Sequence, residues 1–239
     1  MDESQSAVAE PTRFVRFLRE RGYAFSSEPG LATASGPGCL ISAAGHTVAC
    51  AVMTVEQTFN LYAFLDGFEE AADRLGSLRN QGLPLVVVVE SDPDSLFFPT
   101  PGDRLLDTLL HGDVPRELYD DPPQSPWSPR GDERPERRLV DAHPHISAVA
   151  VVVHNSHAHQ WLRDRFEARP ESFDSTREGM DAMVAEILEA PQGGSLSLHI
   201  FETLGGTALL LPREVFDGPM DRRWIPNTDR TRLLPPDES

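Results

Sequence analysis

Lysine is absent from this chain of 239 residues, so all 21 of its basic residues are arginine. This absence excludes a Schiff-base lysine, a lysine general base and the lysine of a phosphate-binding P-loop. With 38 acidic residues, the formal net charge is −17. Such a charge repels polyanions, and nucleic-acid binding normally depends on neutralising phosphates. The composition therefore favours a protein partner or a second copy of the chain over nucleic acid.

Cysteine is nearly as scarce, because the chain contains only two. Two thiols cannot build a zinc site of four thiolates. The sequence also lacks a Gly-x-Gly-x-x-Gly motif, a P-loop and the Gly-x-Ser-x-Gly elbow of serine hydrolases. Nucleotide cofactors and a serine-based hydrolase mechanism therefore have no support in the sequence.

Long apolar runs are missing as well. No run approaches the roughly 18 residues that a membrane-spanning helix requires. The first six residues are polar and acidic, unlike the basic and apolar start of a secretory signal. We therefore expect a cytoplasmic protein that does not enter membranes. Its 39% hydrophobic content suits a single domain over residues 1–239, with the proline-rich and charged residues 120–138 as a surface loop.

The spacing of apolar residues predicts alternating helices and strands. Two continuous apolar runs, 83–90 and 146–153, are typical of strands buried on both faces. The pattern predicts an α/β fold, in which a mixed β-sheet is flanked by helices and extended by a C-terminal β-hairpin. The other predicted elements are helices at 12–21, 55–80, 105–110, 157–168 and after 175, strands at 23–28, 38–43 and 46–54, and a hairpin of 195–202 with 207–211.

The hairpin of residues 38–54 is the most informative stretch. Its strands are predicted to turn at Ala44-Gly45, which fixes the pairing between them. Cys39 and Cys50 would then face each other. We interpret them as two buried thiols in a reducing compartment, with a cross-strand disulfide as the alternative. The predicted pairs are Ala43 with His46, Ile41 with Val48, Cys39 with Cys50 and Gly38 with Ala51.

The order helix, strand, hairpin, helix, strand over residues 12–90 resembles the core of the PD-(D/E)XK nucleases, the restriction-endonuclease-like fold. Residues 20–29 are similar to the end of that family's first helix and its first strand. Residues 37–41 resemble the strand that carries the family's Pro-Asp pair. Residues 49–55 resemble the strand that carries its Glu-x-Lys motif.

This resemblance places the family's catalytic positions on residues of a different kind. The metal-binding Asp falls on Gly38, the Glu on Ala51 and the Lys on Met53. In such nucleases the two carboxylates hold Mg²⁺, which polarises the phosphate and generates hydroxide. The substitutions imply a catalytically inactive member without a cofactor, retained for interaction with a protein partner or for assembly into a homo-oligomer.

Two alternatives remain open at this stage. Glu28 and Glu56 flank the same region and could form a relocated site for Mg²⁺ or Mn²⁺, which would make the protein a metal-dependent nuclease or hydrolase. The small residues Gly38, Ala49 and Ala51 could instead leave an open apolar cleft. That cleft would suit a protein that binds a small molecule or a metal.

Histidine is concentrated in one region, where five of the eight histidines lie. His143 and His145 precede the predicted strand 146–153 and the other three histidines lie at or beyond its end, so the two groups are expected at opposite ends of that strand. Positions 157 and 159 would also face different sides of a helix. We interpret the histidines as exposed polar residues, with metal binding by His154, His157 and His159 as the alternative.

Overall fold

The computed structural model describes residues 12–34, 36–55, 61–91, 139–157, 161, 164–165, 177, 179–180, 184–185, 189, 193–203, 206–226 and 233–234. Several predicted features lie outside these residues. They are Glu56, His159, the surface loop 120–138, the helix 105–110 and most of the two helices after residue 157.

The described residues form helices and a sheet with both parallel and antiparallel strand pairs, which confirms an α/β fold with a mixed sheet. The strands follow one another across the sheet in chain order, from β1 to β8. The helices are α1 (Arg13–Glu20), α2 (Leu61–Gly76) and α3 (Leu139–Ala142). The strands are β1 (Ala24–Ser27), β2 (Gly38–Ala43), β3 (His46–Val55), β4 (Leu85–Ser91), β5 (Ala148–Ser156), β6 (Gly194–Glu202), β7 (Arg222–Pro226) and β8 (Leu233–Leu234).

Helix α1 forms where the sequence predicts it. The Thr12 side chain caps its first turn by accepting a hydrogen bond from the Val15 N–H at 3.3 Å. Gly22 follows the helix with a φ of +71°, a conformation that glycine adopts without steric cost. The apolar stripe of the helix is fully buried and consists of Phe14, Phe17 and Leu18.

The β2–β3 hairpin confirms the predicted turn and all four predicted pairs. Ala44 and Gly45 both have positive φ, at 49° and 81°, as in a type I′ turn. Cys39 and Cys50 are directly opposite each other and are both free and buried. Burial raises the pKa of Cys39 to about 12 and that of Cys50 well above its ordinary value. Both sulfurs therefore remain protonated thiols.

Strands β3, β4 and β5 form the parallel centre of the sheet. The residues 85–89 are at most 2% exposed, which confirms a strand covered on both faces. Alternation places Glu90 with Val86 and Val88 on one face, and Val89 with Met53 on the other. Helix α1 contacts the first face through Glu90, and α2 contacts the second face at Met53.

The predicted return strand at 207–211 is wrong. Residues 206–211 form no strand, and β6 instead pairs in parallel with β7. The reason is that the Arg223 guanidinium donates to the carbonyl oxygens of Leu211, Pro212 and Val215, at 2.9–3.3 Å, and so draws this segment out of the sheet. The C-terminal antiparallel pairing is supplied by β7 with β8.

The segment from Phe216 is rich in Arg, Asp and Pro, a composition that predicts a tail over the surface, but the structure places two of its aromatic side chains in the core. Phe216 is 3% exposed and its ring lies 5.6–6.4 Å from the rings of Phe14, Phe17 and Tyr23. Trp224 of β7 is 8% exposed and stacks on Phe201 at 5.0 Å. Both aromatic side chains are therefore part of the core.

The chain divides into two compact units, one comprising Met1–Val152 and Leu198–Ser239, the other Val153–Ser197. In the smaller unit, the Asn155 amide donates to Ser197 Oγ at 2.9 Å. The Arg165 guanidinium lies 4.4 Å from the centre of the Trp161 ring.

No helix in the described ranges is long and apolar enough to cross a membrane.

Candidate functional site

Gly38 is the position at which the resemblance places a metal-binding aspartate, and the backbone around it leaves no space for a side chain. A Cβ built on Gly38 would overlap Leu31 Cβ and lie 2.5 Å from the Leu31 carbonyl carbon. It would also lie 2.7 Å from the Glu28 carbonyl oxygen. Backbone atoms cannot give way as a flexible side chain can, so neither alanine nor aspartate fits here.

The segment that covers Gly38 is held by its own hydrogen bonds. It begins at Glu28, forms a short 3₁₀ helix at Pro29–Leu31 and returns toward β2. The Glu28 N–H donates to the Gly38 carbonyl at 2.9 Å, and the Leu31 N–H donates to the Glu28 carbonyl at 2.9 Å. Thr33 Oγ1 donates to the Val52 carbonyl at 2.6 Å. The cover is therefore built into the backbone and is anchored to both β2 and β3.

Ala51 and Met53, the positions on which the resemblance places a Glu and a Lys, are both buried. Ala51 has no exposed surface and Met53 is 2% exposed. Met53 Cε lies 3.0 Å from the position of a Cβ built on Gly67 of α2, so the methionine fills the space above that glycine. Ala49 is also fully buried. The cleft expected from small residues at these positions is closed by packing.

Glu28 is the described member of the two glutamates considered for a relocated metal site. It is half-buried and its Oε1 accepts a hydrogen bond from the Gly30 N–H at 3.4 Å, which caps the 3₁₀ helix. Among the residues that the structure describes, no three His, Cys, Asp or Glu side chains are grouped so that they could hold a metal ion. Glu56 is outside these residues, so its role stays a prediction.

Two of the three candidate histidines, His154 and His157, are described, and they lie in or next to the end of β5. His154 is a half-buried residue of β5, and its Nε2 lies 2.6 Å from the position of a Cβ built on Gly194. His157 is exposed, and its N–H donates to the Gly193 carbonyl at 3.1 Å. His159 is not among the described residues. The described histidines of this set thus pack on, or bond to, the backbone that leads into β6.

The other two histidines of the cluster contact α2. His145 Nε2 lies 2.9 Å from the Ala72 carbonyl oxygen, and the His143 ring packs edge-on against Phe68 at 5.7 Å. Their two rings are 6.0 Å apart. Burial, followed by the neighbouring His145, lowers the pKa of His143. These imidazoles cap and cover a helix, which is a structural role.

Glu90 is the most enclosed carboxylate at the carboxyl end of the parallel strands, where α/β sheets commonly bind ligands. It is 5% exposed, and burial raises its pKa against the opposing effect of its hydrogen bonds. Its Oε2 accepts from the Phe14 N–H of α1 at 2.9 Å, and its Oε1 accepts from Thr54 Oγ1 at 3.4 Å. Both oxygens are engaged, so Glu90 serves as a cap for α1. A glutamate that directly follows four consecutive valines is the sequence signal that could have identified it.

A second group of buried charges holds the residues after β6. Arg223 forms an ion pair with Glu202 at 3.4 Å, with 10% and 7% of the two side chains exposed. Asp221 accepts hydrogen bonds from the Leu198 N–H at 2.8 Å and the Gly218 N–H at 3.0 Å. Burial raises the pKa of both carboxyl groups and lowers that of Arg223. These groups are satisfied by the chain itself, which makes them structural.

His199 of β6 has a buried Nδ1 for which the described part of the chain supplies no hydrogen-bond partner. The side chain is 6% exposed and packs on Trp224, with ring centres 5.3 Å apart. Burial, aided by the charge of Arg222, lowers the pKa of His199 to about 4. The imidazole is therefore neutral near pH 7, and its unpaired nitrogen carries a desolvation cost.

Taken over the described residues, the buried carboxylates Glu90, Glu202 and Asp221 are engaged by backbone N–H groups or by arginine, and no metal-binding group forms. No known protein family matches the chain, and neither the curated proteins nor the solved structures contain a significant match.

Proposed function

We propose that this protein is a non-catalytic interaction or assembly protein of the cytoplasm, built on a restriction-endonuclease-like core and acting without a cofactor. The observation that carries the proposal is the covering of Gly38. A carboxylate there would need the backbone of Leu31 and Glu28 to move. The order of helices and strands from α1 to β4 is the order on which the nuclease resemblance is based. At Gly38, where that family has its metal-binding aspartate, there is no room for a carboxylate.

The reasoning rests on what two-carboxylate metal catalysis requires. Mg²⁺ takes oxygen ligands in a near-octahedral arrangement and keeps several waters, so its site must be polar and open to solvent. Here Ala51 has no exposed surface and Met53 is 2% exposed, and both are surrounded by apolar side chains. A protein that has this core but no metal site can still act by binding a partner through its surface. The charge of −17 favours a protein partner over nucleic acid.

The proposal is tested by a cleavage assay with plasmid and single-stranded DNA in the presence of Mg²⁺ or Mn²⁺. We expect no cleavage above a control that contains EDTA. Glu28→Gln and Glu56→Gln serve as matched variants, because each removes a charge while keeping the shape of the side chain. Metal-dependent cleavage by the wild-type protein that either variant abolishes would contradict the proposal and support the relocated site.

A further inference from the structure

At the outer edge of the sheet, β1 has backbone groups that no other described part of the chain hydrogen-bonds. The Glu28 N–H bonds the Gly38 carbonyl, so in the antiparallel ladder residues 24, 26 and 28 bond β2. The N–H and C=O groups of Phe25 and Ser27 must then point away from β2. No strand precedes β1 in the order of the sheet, and within the described residues no hydrogen bond reaches these four groups.

Strand β1 is short, but it lacks three features with which proteins often protect an edge strand, namely charge, proline and a bulge. Strand β1 reads Ala-Phe-Ser-Ser, without charge or proline. Its pairing with β2 is continuous, so no bulge twists the edge away. Three of its four residues are exposed and the fourth is half-buried. An edge of this kind is a template for another extended strand.

The geometry of the edge is self-complementary. In an antiparallel pair centred on Ser26, Phe25 lies opposite Ser27 of the second copy, and Ser27 lies opposite the second copy's Phe25. Each pair exchanges two N–H···O=C hydrogen bonds, so all outward groups of both copies are satisfied. Shifting the register by two residues toward the carboxyl end would place Pro29, which has no N–H, in a bonding position opposite Phe25.

The charges at the two ends of β1 favour the same arrangement. Arg21, whose side chain is 24% exposed, precedes the strand, and the half-buried Glu28 follows it. Antiparallel pairing brings the basic end of one copy toward the acidic end of the other, whereas parallel pairing would bring like charges together. A two-fold axis also closes the assembly at two chains.

We propose that β1 is the assembly edge of this protein and pairs antiparallel with β1 of a second copy. This inference deepens the proposed assembly role and rests on it. Four residues per copy form a small interface, so the dimer is expected to be weak and dependent on concentration. Two chains of charge −17 repel each other, so raising the salt concentration should strengthen the dimer by screening.

The test uses the full chain in sedimentation equilibrium over a range of protein concentrations. Ser26 is exposed and would lie opposite its own copy across the two-fold axis. In either variant, Ser26→Lys or Ser26→Glu, two like charges therefore face each other only in the dimer. Each substitution should raise the dissociation constant of the dimer by about fivefold. Mixing the two variants places opposite charges face to face and should restore association. Ser42→Lys is the matched control, because Ser42 is exposed but lies one strand further in.

The proposal is overturned if the wild-type protein stays monomeric up to about 1 mM, the concentration that corresponds to a standard free energy of about −4 kcal/mol. It is also overturned if Ser26→Lys associates like the wild type, or if the mixture fails to associate better than either variant alone. These outcomes are independent of the cleavage assay. DNA cleavage would refute the non-catalytic role, whereas failure of the mixing experiment would refute only the β1 interface.

Discussion

At Gly38 the missing side chain has a structural cause. The Leu31 and Glu28 backbone occupies the space that a Cβ would need, and Leu31 itself is only 1% exposed. The glycine is therefore required by the packing of the segment above it. The position at which the resemblance places an aspartate therefore has no room for one.

We predict that Gly38→Ala destabilises the protein by about 1–3 kcal/mol, because the added methyl group overpacks a site bounded by backbone. The free energy of unfolding, measured by urea denaturation, checks the prediction. Gly206→Ala is the control, since a Cβ built there meets nothing within 4 Å. Equal stabilities of the two variants would show that the cover above Gly38 moves easily.

The sequence shows that position 38 is a glycine, but it does not show why a larger residue cannot stand there. The hairpin pairing follows from a two-residue turn and a period of two, both of which are local. The contact of Gly38 with Leu31 depends on how an irregular segment crosses the strand. No periodic pattern records such a crossing, so this part of the candidate site required the structure.

At the scale of elements, Arg223 determines the path of the chain after β6. Its guanidinium pairs with Glu202 and donates to the carbonyls of Leu211, Pro212 and Val215. Arginine suits this role because its planar group presents five donors in fixed directions. The segment that looked like a hairpin strand is thereby held as an irregular loop.

We predict that Arg223→Met destabilises the protein by about 3–5 kcal/mol, because it leaves the Glu202 carboxylate buried without its partner. Arg222→Met is the matched control: Arg222 is the exposed neighbour, and its loss should have little effect. Chemical denaturation measures both. Replacing the pair together, as Glu202→Leu with Arg223→Met, should recover part of the loss, and a double variant as unstable as Arg223→Met would contradict the ion-pair explanation.

The elements that the sequence predicted correctly are those with a strong local signal. Helix α1 has a threonine cap and an apolar stripe, and β4 has a continuous apolar run. Strand β7 was missed because its sequence, Arg-Arg-Trp-Ile-Pro, shows no clear alternation and its pairing with β6 is parallel. Residues 207–211 were mistaken for a strand because an apolar run follows two glycines. Leu209 and Leu210 of that run are in fact 46% and 67% exposed.

At the scale of the whole molecule, acidification changes stability in opposite directions through two kinds of buried group. The buried histidine lowers the stability as the pH falls, and the buried carboxyl groups raise it. His199 has a pKa of about 4 in the folded protein, below its ordinary value of 6.5. The unfolded chain therefore binds a proton first as the pH falls, and stability decreases between about pH 6.5 and pH 4. Glu90, Glu202 and Asp221 have raised pKa values, so the folded state binds their protons first and gains stability on acidification.

We predict that His199→Phe removes the loss of stability that His199 causes as the pH falls. The free energy of unfolding of the variant, relative to the wild type, should rise by up to about 3 kcal/mol between pH 6.5 and pH 4. Measuring both proteins over this range cancels the contribution of the carboxyl groups. His46→Gln, which changes an exposed histidine of the hairpin, is the control. A difference between wild type and His199→Phe that does not vary with pH would contradict the prediction.

The capping of α1 by Glu90 has a consequence for the order of events during synthesis. An eight-residue helix is marginal by itself, and α1 is held by Glu90 and by the ring of Phe216, which packs on Phe14 and Phe17. The ribosome adds about 5–20 residues per second, so Phe216 emerges roughly 10–40 s after α1. Helix α1 can contact β4 once Glu90 has been made, but its docking is complete only after Phe216 emerges, so part of its apolar stripe is expected to stay uncovered during that interval.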